Sequence, residues 1–493
     1  MIKNPIKKMS PWMLLLAVIL VCVAFAAAYM ASHSKLVVTI AIGAIPLILM
    51  FSVFTMTSIN SAYMFFLVVH YFTVYLTRVL SWKGTDIQFG LICDATLMYV
   101  IAIIMIHFMA RATPHKHVRA EPIVFTGIWL VFCLMEGMNP FSSDEAWIKN
   151  IRSLSGYFFV ISFVAQMAFL DFKQVKRFAN IWALLSILTA LITIKQKFVG
   201  FSEVDKYFLY AQRGYVTHII NSGIRYFSIM SDAANLGAAM GVSCTIFAIM
   251  ALAEKNKKFK WFYLITVVLS LIAMLYSGTR SALAVPFCGF AMYCICTKIN
   301  KSVVLVAFLG LTSFCMLNYT NIGDSNPVIR RARSAFNSDD ESYLVRKRNQ
   351  ETLKELLKDK PFGYGIGLSG GSAAKFGEDY LEIAEIPTDS FYVQVWVQTG
   401  YVGLSFYLTL MFVMCLRAAY IVRFKIRDPN IKACMTGFLC AFVGLFVMSS
   451  NNQVYAMFPN GVFAYTSMTL VFLSEYYDKQ QAKQLLEEND EKA

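Results

Sequence analysis

The chain has 493 residues, of which 58% are hydrophobic and only 15% are charged, and its formal net charge at pH 7 is +14. This composition excludes an ordinary soluble domain and indicates an integral membrane protein. The positive charge does not require nucleic acid as a partner, because much of it lies in short loops between apolar stretches.

Apolar stretches of about 17–25 residues recur along the whole chain, and each can cross a hydrocarbon core of roughly 30 Å as a helix. The predicted fold class is therefore all-α, a polytopic bundle of about 14 transmembrane helices. The predicted spans lie near residues 12–31, 36–56, 61–79, 89–110, 122–138, 154–170, 178–198, 232–253, 260–276, 281–297, 302–318, 391–416, 433–449 and 459–476.

Lysine and arginine indicate the orientation of the bundle. The first predicted span follows a basic N-terminus, and because more spans follow directly we interpret it as an uncleaved helix. Alternate short loops are basic, as in 173–177, 255–260 and 417–432. The positive-inside rule places these loops, and with them both termini, in the cytoplasm.

A long polar loop separates the eleventh and twelfth predicted spans. It contains the helical pattern Glu341–Lys358, in which Arg346 shares a face with Leu353 and Leu357. Arg346 is therefore a candidate for holding an anion at the membrane surface. Arg348 has acidic neighbours at helical spacing, which is typical of a solvated residue, and we keep it as a second candidate for binding substrate. The predicted organisation is N-terminal transmembrane helices 1–198, transmembrane helices with outer arginine motifs 199–318, an extracytoplasmic loop 319–390, C-terminal transmembrane helices 391–476 and a cytoplasmic tail 477–493.

Two more arginines lie in segments predicted to face outward. Arg280 lies in a short turn between two spans, and Arg225 follows a segment rich in tyrosine that also contains His218. Either arginine alone could simply extend to the membrane interface. Together with Arg346 they suggest a phosphate site, because fixed guanidinium groups bind phosphates in a bidentate manner. Aromatic rings with a polar edge suit sugars and are equally typical of membrane interfaces, and His218 is a candidate for binding substrate.

The stretch 361–404 runs from a glycine-rich loop directly into an apolar, aromatic span. No strand precedes Gly363, Gly365 and Gly367, which excludes a dinucleotide-binding fingerprint. Two interpretations stay open for this loop. It is either a flexible connection or a backbone that approaches a ligand closely, in which case Gly365 and Gly367 bind substrate.

Asp389 lies at the start of the twelfth predicted span, between Thr388 and Ser390. Such a polar run before an apolar stretch is typical of a helix N-cap. The alternative is an active-site base, since a carboxylate can accept a proton from an attacking hydroxyl. Ser390 and Tyr392 are further candidates for binding substrate. No Cys/His cluster has the spacing of a zinc site, and we predict neither a metal nor a cofactor.

Five motifs follow one another between residues 225 and 403, namely Arg225–Asp232, Ser277–Leu283, an arginine-bearing loop helix, Pro361–Gly367 and Asp389–Gly403. Together they resemble the O-antigen ligase and O-antigen polymerase superfamily. The resemblance covers roughly residues 200–415, whereas the first part of the chain agrees in hydropathy alone. The ligases commonly carry His-Asn where this chain has Asp389-Ser390, and this departure favours a polymerase.

The resemblance implies metal-independent glycosyl transfer from an undecaprenyl-diphosphate-linked oligosaccharide donor to an acceptor, on the extracytoplasmic side of a bacterial cytoplasmic (inner) membrane. The implied reaction is the polymerisation of O-antigen, capsule or exopolysaccharide repeat units. By motif, Arg225 and Arg280 would hold the donor diphosphate, Arg346 would assist, and Asp389 would act as the base or position the acceptor. The implied partners are the lipid-linked donor and acceptor, membrane lipid and a chain-length regulator protein.

Other classes stay open at this point. An O-antigen ligase or a protein O-oligosaccharyltransferase of the same superfamily would share these motifs and would differ in its acceptor. A polysaccharide flippase or transporter could have as many spans. Transporter folds usually carry internal repeats and helices broken at the bilayer midplane, and we detect no such repeat in this sequence.

Overall fold

The computed structural model describes residues 55–85, 89–110, 118–220, 223–298, 301–333 and 341–490, apart from 56, 321–324 and 326. These described residues are mostly helical, and the predicted all-α class is confirmed. The first helices are α1 Ile59–Trp82, α2 Phe89–Met109, α3 Ala120–Met135, α4 Asp144–Ile151, α5 Tyr157–Ala168, α6 Phe172–Phe198, α7 Glu203–Tyr210, α8 Tyr215–His218 and α9 Ala233–Ala253. The others are α10 Lys257–Tyr276, α11 Ala284–Cys296, α12 Lys301–Tyr319, α13 Pro327–Arg333, α14 Glu341–Leu356, α15 Leu381–Ala384, α16 Phe391–Tyr420, α17 Pro429–Met448 and α18 Asn460–Asp490. Strands β1 Ile219–Ile220 and β2 Gly223–Ile224 form a short antiparallel ribbon.

Within the described part of the chain, nine helical segments are long and apolar enough to cross a membrane, and they coincide with nine predicted spans. Three further predicted spans, near 281–297, 302–318 and 459–476, coincide with α11, α12 and α18. The predicted spans 12–31 and 36–56 lie outside the described residues, except for Thr55. The protein is therefore a polytopic membrane protein, and the total of fourteen spans stays a prediction.

Helices α9 and α17 form the centre of the bundle. Helix α9 packs against α10, α11 and α17, and α17 also packs against α11 and α18. Gly237 and Gly241, one turn apart, let α9 approach its neighbours closely, as small residues do in membrane helices. A Cβ atom added at Gly237 would lie 2.8 Å from Ser277 Oγ. This close packing holds the turn after α10 against the start of α9.

The basic loops and the arginine motifs lie at opposite ends of the bundle. At the basic end, Lys176 Nζ lies 2.8 Å from Glu254 Oε2, so the start of α6 meets the end of α9. Helix α10 also begins at this end, because only three residues separate it from α9. The segment between α6 and α9, which contains Arg225, and the turn after α10, which contains Arg280, therefore lie at the other end.

The long loop before α16 contains the predicted amphipathic helix, observed as α14. Leu353 and Leu357 on its apolar face are buried in a small core that the loop shares with α4 and α16. Arg346 on the same face is half-buried, whereas Arg348 is exposed. The predicted difference between the two arginines is thus observed, and the loop from residue 341 onward is a folded layer on the end of the bundle.

Helix α16 is kinked at Gly400, where φ is 65°. At the kink, Val402 N leaves the helical pattern and donates to the carbonyl oxygen of Pro361 at 3.2 Å. Two more bonds join the glycine-rich loop to the kink, Tyr364 N to Val397 O at 2.9 Å and Gly365 N to Gln398 O at 3.0 Å. The loop therefore satisfies the backbone groups that the kink removes from the helix.

The three glycines of this loop also have positive φ angles. A Cβ atom added at Gly363 would lie 2.5 Å from Val397 O, one at Gly365 would lie 2.6 Å from Ser142 Oγ, and one at Gly367 would overlap Asn150. The interpretation as a flexible connection is therefore wrong, because the loop is packed on α16 and α4. The close approach that these glycines permit is to the protein itself.

The substitution Gly400→Ala is expected to destabilise the folded protein, because the added Cβ atom would overlap the Pro361 carbonyl oxygen. Overpacking costs about 1–3 kcal/mol, and a positive φ at a non-glycine residue costs a further ~1–2 kcal/mol. Thermal unfolding of the purified protein in detergent measures the loss. Gly371→Ala is the matched control, since no heavy atom lies within 4 Å of its added Cβ atom. Equal melting temperatures for the two variants would contradict the role of the kink.

Candidate active site

Arg225 is fixed in place by hydrogen bonds to two separate elements. Its backbone N–H donates to His218 O at 2.8 Å, which joins it to α8. Its guanidinium donates from Nη1 to Thr217 O at 3.2 Å and from Nη2 to Thr279 Oγ1 at 3.1 Å. The third donor, Nε, is buried and has no hydrogen-bond partner among the described residues. An unpaired buried donor is costly, and the other hydrogen bonds of the side chain offset this cost.

Arg280 begins a short 3₁₀ turn that is held from two sides. Thr279, which accepts the bond from Arg225, itself donates to Ala233 O at 2.9 Å and so attaches the turn to α9. From α13, Arg331 donates through Nε to Gly278 O at 2.5 Å. Arg331 therefore supports the Arg280 turn.

Two arginines from other elements lie within electrostatic reach of Arg225. Burial lowers the pKa of Arg225, Asp232 raises it, and the positive charges of Arg280 and Arg346 lower it further. Guanidinium groups as a class carry a positive charge at neutral pH. The three arginines together create a field that favours an anion with several charges, and guanidinium groups are well suited to phosphate.

Asp389 lies beside Arg346, with Oδ2 of the carboxylate 3.7 Å from Nε of the guanidinium. Both side chains line a cleft of about 90 Å³ between α14 and the start of α16, together with Ser450 and Asn451. The side chain of Asp389 is 46% exposed. The carboxylate is therefore accessible from the cleft while it remains beside a positive charge.

The N-cap of α16 is Ser390, not Asp389. Ser390 Oγ accepts from Tyr392 N at 3.2 Å and Val393 N at 3.4 Å, and it donates to Ser449 O at 3.2 Å. The predicted cap is thus present, but the neighbouring serine supplies it. These bonds use the hydroxyl, and the residue is largely buried. Ser390 nevertheless lines the same cleft as Asp389, so its contact with substrate stays a prediction.

We expect Ser390→Ala to lower the free energy of unfolding by about 1 kcal/mol, the usual effect of losing a cap. Asp389→Asn should leave stability unchanged, because the cap does not use the carboxylate. Thermal unfolding of both variants in detergent tests the assignment. A larger loss of stability for Asp389→Asn than for Ser390→Ala would show that Asp389 is the N-cap.

Two other residues predicted to bind substrate point away from the cleft. The hydroxyl of Tyr392 donates to Phe446 O at 2.5 Å, inside the bundle. His218 is only 1% exposed, and its ring packs edge-on against Phe208 and Phe227. Its Nδ1 bonds to Gly214 O at 2.8 Å. These contacts give His218 a packing role beside the Arg225 segment, and Tyr392 joins α16 to α17. Binding of substrate by either residue stays a prediction.

The remaining candidates for binding substrate are Arg348, Gly365 and Gly367. Arg348 is exposed on α14 and is absent from the lining of the cleft that contains Arg346. Gly365 and Gly367 face Ser142 and Asn150 at the interior side of their loop. Their contacts give these glycines a packing role, and direct contact with substrate stays a prediction for all three residues.

A polar loop that sequence reasoning did not assign to the site completes it. Residues 450–453, Ser-Asn-Asn-Gln, connect α17 to α18. Gln453 Nε2 donates to Thr388 O, and Asn452 Nδ2 donates to Ser281 Oγ. Asn451 lines both the Asp389 cleft and a second cavity that contains Arg280. The available signal was four consecutive polar residues between two apolar spans on the predicted outer side.

The second cavity is a groove of about 550 Å³ between α11 and α12. Its polar lining residues are Arg280, Ser281 and Asn451, which all belong to turns at the site end of the bundle. The rest of its lining is apolar and comes from the two helices and the last residue of the turn before α11, namely Leu283, Ala284, Phe287, Cys288, Phe290, Ala291, Cys294, Ala307, Gly310, Leu311 and Phe314. The groove can therefore accommodate a hydrocarbon chain whose polar end lies at Arg280.

The fold and the site together define a polytopic membrane protein with an arginine-rich site at one end of its helix bundle. Residues 265–408 match the family model described as O-antigen ligase, and this match confirms the resemblance to the O-antigen ligase and polymerase superfamily. The matched segment contains Arg280, Arg346, Asp389 and Gly400, whereas Arg225 precedes it. No curated protein matches the chain.

Proposed function

We propose that this protein is a membrane glycosyltransferase that polymerises the repeat units of a surface polysaccharide, which is an O-antigen, a capsule or an exopolysaccharide. The donor is an undecaprenyl-diphosphate-linked oligosaccharide. The observation that carries the proposal is that the Arg346–Asp389 pair and Arg280 line two cavities that share Asn451. Arg225 bonds to Thr279, directly beside Arg280. The O-antigen ligase match supports this class of enzyme.

The two cavities suggest how the substrates lie. In the proposal, the hydrocarbon chain of the donor occupies the groove between α11 and α12, and its diphosphate lies at Arg280 and Arg225. The acceptor sugar enters the cleft between Arg346 and Asp389. Asn451 lines both cavities, so the bond to be broken and the attacking hydroxyl would meet beside it.

The proposed reaction needs a base and a stabilised leaving group. The acceptor hydroxyl attacks the anomeric carbon of the donor and transfers its proton to Asp389, while the bond from that carbon to the diphosphate oxygen breaks. The electron pair of that bond stays on the diphosphate, where guanidinium groups stabilise the developing charge. In this proposal arginines carry out the electrostatic role, and no metal ion takes part.

The test is transfer by the purified full-length protein, with lipid-linked repeat units as both donor and acceptor and with a chelator present. A ladder of polymer products supports the polymerase. Transfer only to a lipid A-core acceptor, or only to an acceptor protein, would identify the ligase or the protein O-oligosaccharyltransferase instead. No transfer to any of the three acceptors would overturn the glycosyltransferase proposal.

The proposal requires the site to face outward, and labelling of single cysteines measures this. We expect a membrane-impermeant thiol reagent to label Lys375→Cys in intact spheroplasts and to label Arg427→Cys only after lysis. Both residues are exposed, and Arg427 is used because the adjacent Asp428 caps α17. The described native cysteines are buried or half-buried in the helices. The reverse labelling pattern would invert the orientation and exclude a reaction at the outer leaflet.

A further inference from the structure

We propose that Arg78 is a positioning residue for the segment 225–232, which carries Arg225. Arg78 lies near the end of α1, and the segment that it contacts follows about 150 residues later in the chain. Nothing in its local sequence indicates this role. The contacts of its side chain indicate the role. Only the kinetic measurement rests on the proposed function.

Arg78 is buried within a membrane-crossing helix. Its side chain is only 4% exposed. A charged side chain in such a position is costly unless it is paired, and it then usually has a specific role. Leucine or methionine would fill the same space in an apolar span without this cost, so the contacts that Arg78 makes should explain its presence.

The guanidinium of Arg78 contacts the segment 225–232 and helix α7. Nη1 donates to Ser228 O at 3.2 Å, and Nη2 donates to Met230 O at 2.5 Å. Nη1 also lies 3.5 Å from Oδ1 of the buried Asp205 on α7. Cζ of the group lies 4.5 Å from the centre of the Phe208 ring and 4.8 Å from the centre of the Phe227 ring. One side chain thus joins α1, α7 and the Arg225 segment.

The turn that Arg78 holds has an unfavourable backbone conformation. Ser228 has a φ of 52°, which is uncommon for a residue other than glycine. Gln196 of α6 accepts from Ser228 N at 2.9 Å, and Ser228 Oγ donates to Thr189 O at 2.9 Å. Strained backbone persists only where the surroundings determine it. Arg78 and Gln196 hold the backbone of the turn in place by hydrogen bonds from two sides.

The position of this turn decides where Arg225 lies. Arg225 is three residues before Ser228, and Phe227 between them packs against the ring of His218, whose carbonyl accepts from Arg225 N. If the turn moves, Arg225 loses its alignment with Thr279 and therefore with Arg280. Arg78 thus acts on the anion site through the backbone and does not touch the ligand itself.

Lysine cannot replace arginine in this role. The planar guanidinium reaches two carbonyl oxygens at once and lies over two aromatic rings, whereas an ammonium is a single point of charge. Arg78→Lys therefore keeps the charge beside Asp205 and loses the paired contact to Ser228 and Met230. This makes it a sharper variant than a neutral substitution, which would leave Asp205 buried and unpaired.

The experiment compares backbone hydrogen exchange in the full-length protein in detergent, for wild type, Arg78→Lys and Gln196→Met. We expect amides in 225–232 to exchange roughly tenfold faster in both variants, because each removes one support of the same turn. The matched control is Arg152→Lys, since Arg152 is another arginine of the outer end and pairs with Asp94, away from the segment. Its exchange in 225–232 should equal that of wild type.

Kinetics with the lipid-linked donor supply the second measurement. Arg78→Lys should raise KM for the donor about tenfold while kcat falls less, because a displaced Arg225 weakens donor binding more than it affects the base. Unchanged exchange in 225–232 in Arg78→Lys would overturn the inference, and if that variant does not fold, unchanged exchange in Gln196→Met would do so. If wild type shows no transfer at all, the proposed function fails, and the exchange comparison still decides the role of Arg78.

Discussion

Asp389→Asn is expected to lower the rate of transfer by roughly 10²–10⁴, because asparagine cannot accept the proton of the attacking hydroxyl. The helix end should remain intact, since Ser390 supplies the N-cap. The measurement is turnover and product-length distribution with purified lipid-linked repeat units and chelator. Asp379→Asn is the matched control, because Asp379 is exposed in the same outer loop and lines neither cavity.

A second interpretation is that Asp389 only holds Arg346 in place. A double-mutant cycle distinguishes this role from that of a catalytic base. If the ion pair is the whole effect, Arg346→Gln loses as much activity as Asp389→Asn, and the double variant loses no more. If Asp389 is the base, the loss of activity from Asp389→Asn adds to the loss from Arg346→Gln in the double variant. Near-normal turnover in Asp389→Asn would show that Asp389 is not the base. His218 could not take over this role without rearrangement, because the residue is only 1% exposed.

Arg280→Lys and Arg225→Lys are each expected to reduce kcat/KM by roughly 10²–10³, the range found when one preorganised electrostatic donor is removed. Lysine keeps the charge and loses the bidentate geometry that a diphosphate requires. For Arg225 the loss includes the bonds to Thr217 and Thr279, which align the two arginines. Both kinetic constants for the donor should be measured, with inorganic diphosphate as a competitor.

Arg213→Lys is the control for these arginine variants, because Arg213 is exposed in the same outer segment as Arg225. Its activity and its inhibition by diphosphate should match those of wild type. Protein level and thermal stability of all variants should also be compared, so that a folding defect is recognised. Full activity in both Arg280→Lys and Arg225→Lys would show that these arginines do not bind the donor diphosphate in the proposed way.

The positions of the spans could be predicted from the sequence because they depend on a property of the chain in one dimension. An apolar run must be long enough to cross the bilayer and must satisfy its backbone internally as a helix. The face of α14 could be predicted for a related reason, since helical periodicity alone places Arg346 beside Leu353. The alternation of helix direction then brought Arg225, Arg280 and Asp389 to the same end of the bundle.

The identity of the contacts could not be predicted, because it depends on which elements pack together. Periodicity assigns a residue to a face, but it does not name the partner of that face. Ser390 and Asp389 are both good caps in sequence, and only the direction of each side chain shows that Ser390 caps α16 while Asp389 faces Arg346. His218 resembled a binding residue until its burial against Phe208 and Phe227 was visible.

By itself, the sequence determined that this chain is a multi-span helical membrane protein with arginines and a carboxylate on one side, since hydropathy, charge and order along the chain carry that information. The tertiary structure alone decided that Pro361 enters the kink at Gly400, that Asn451 joins the two cavities and that Arg78 holds the turn before α9. Each of these contacts joins residues far apart in the chain, and their pairing is determined by the packing of whole helices.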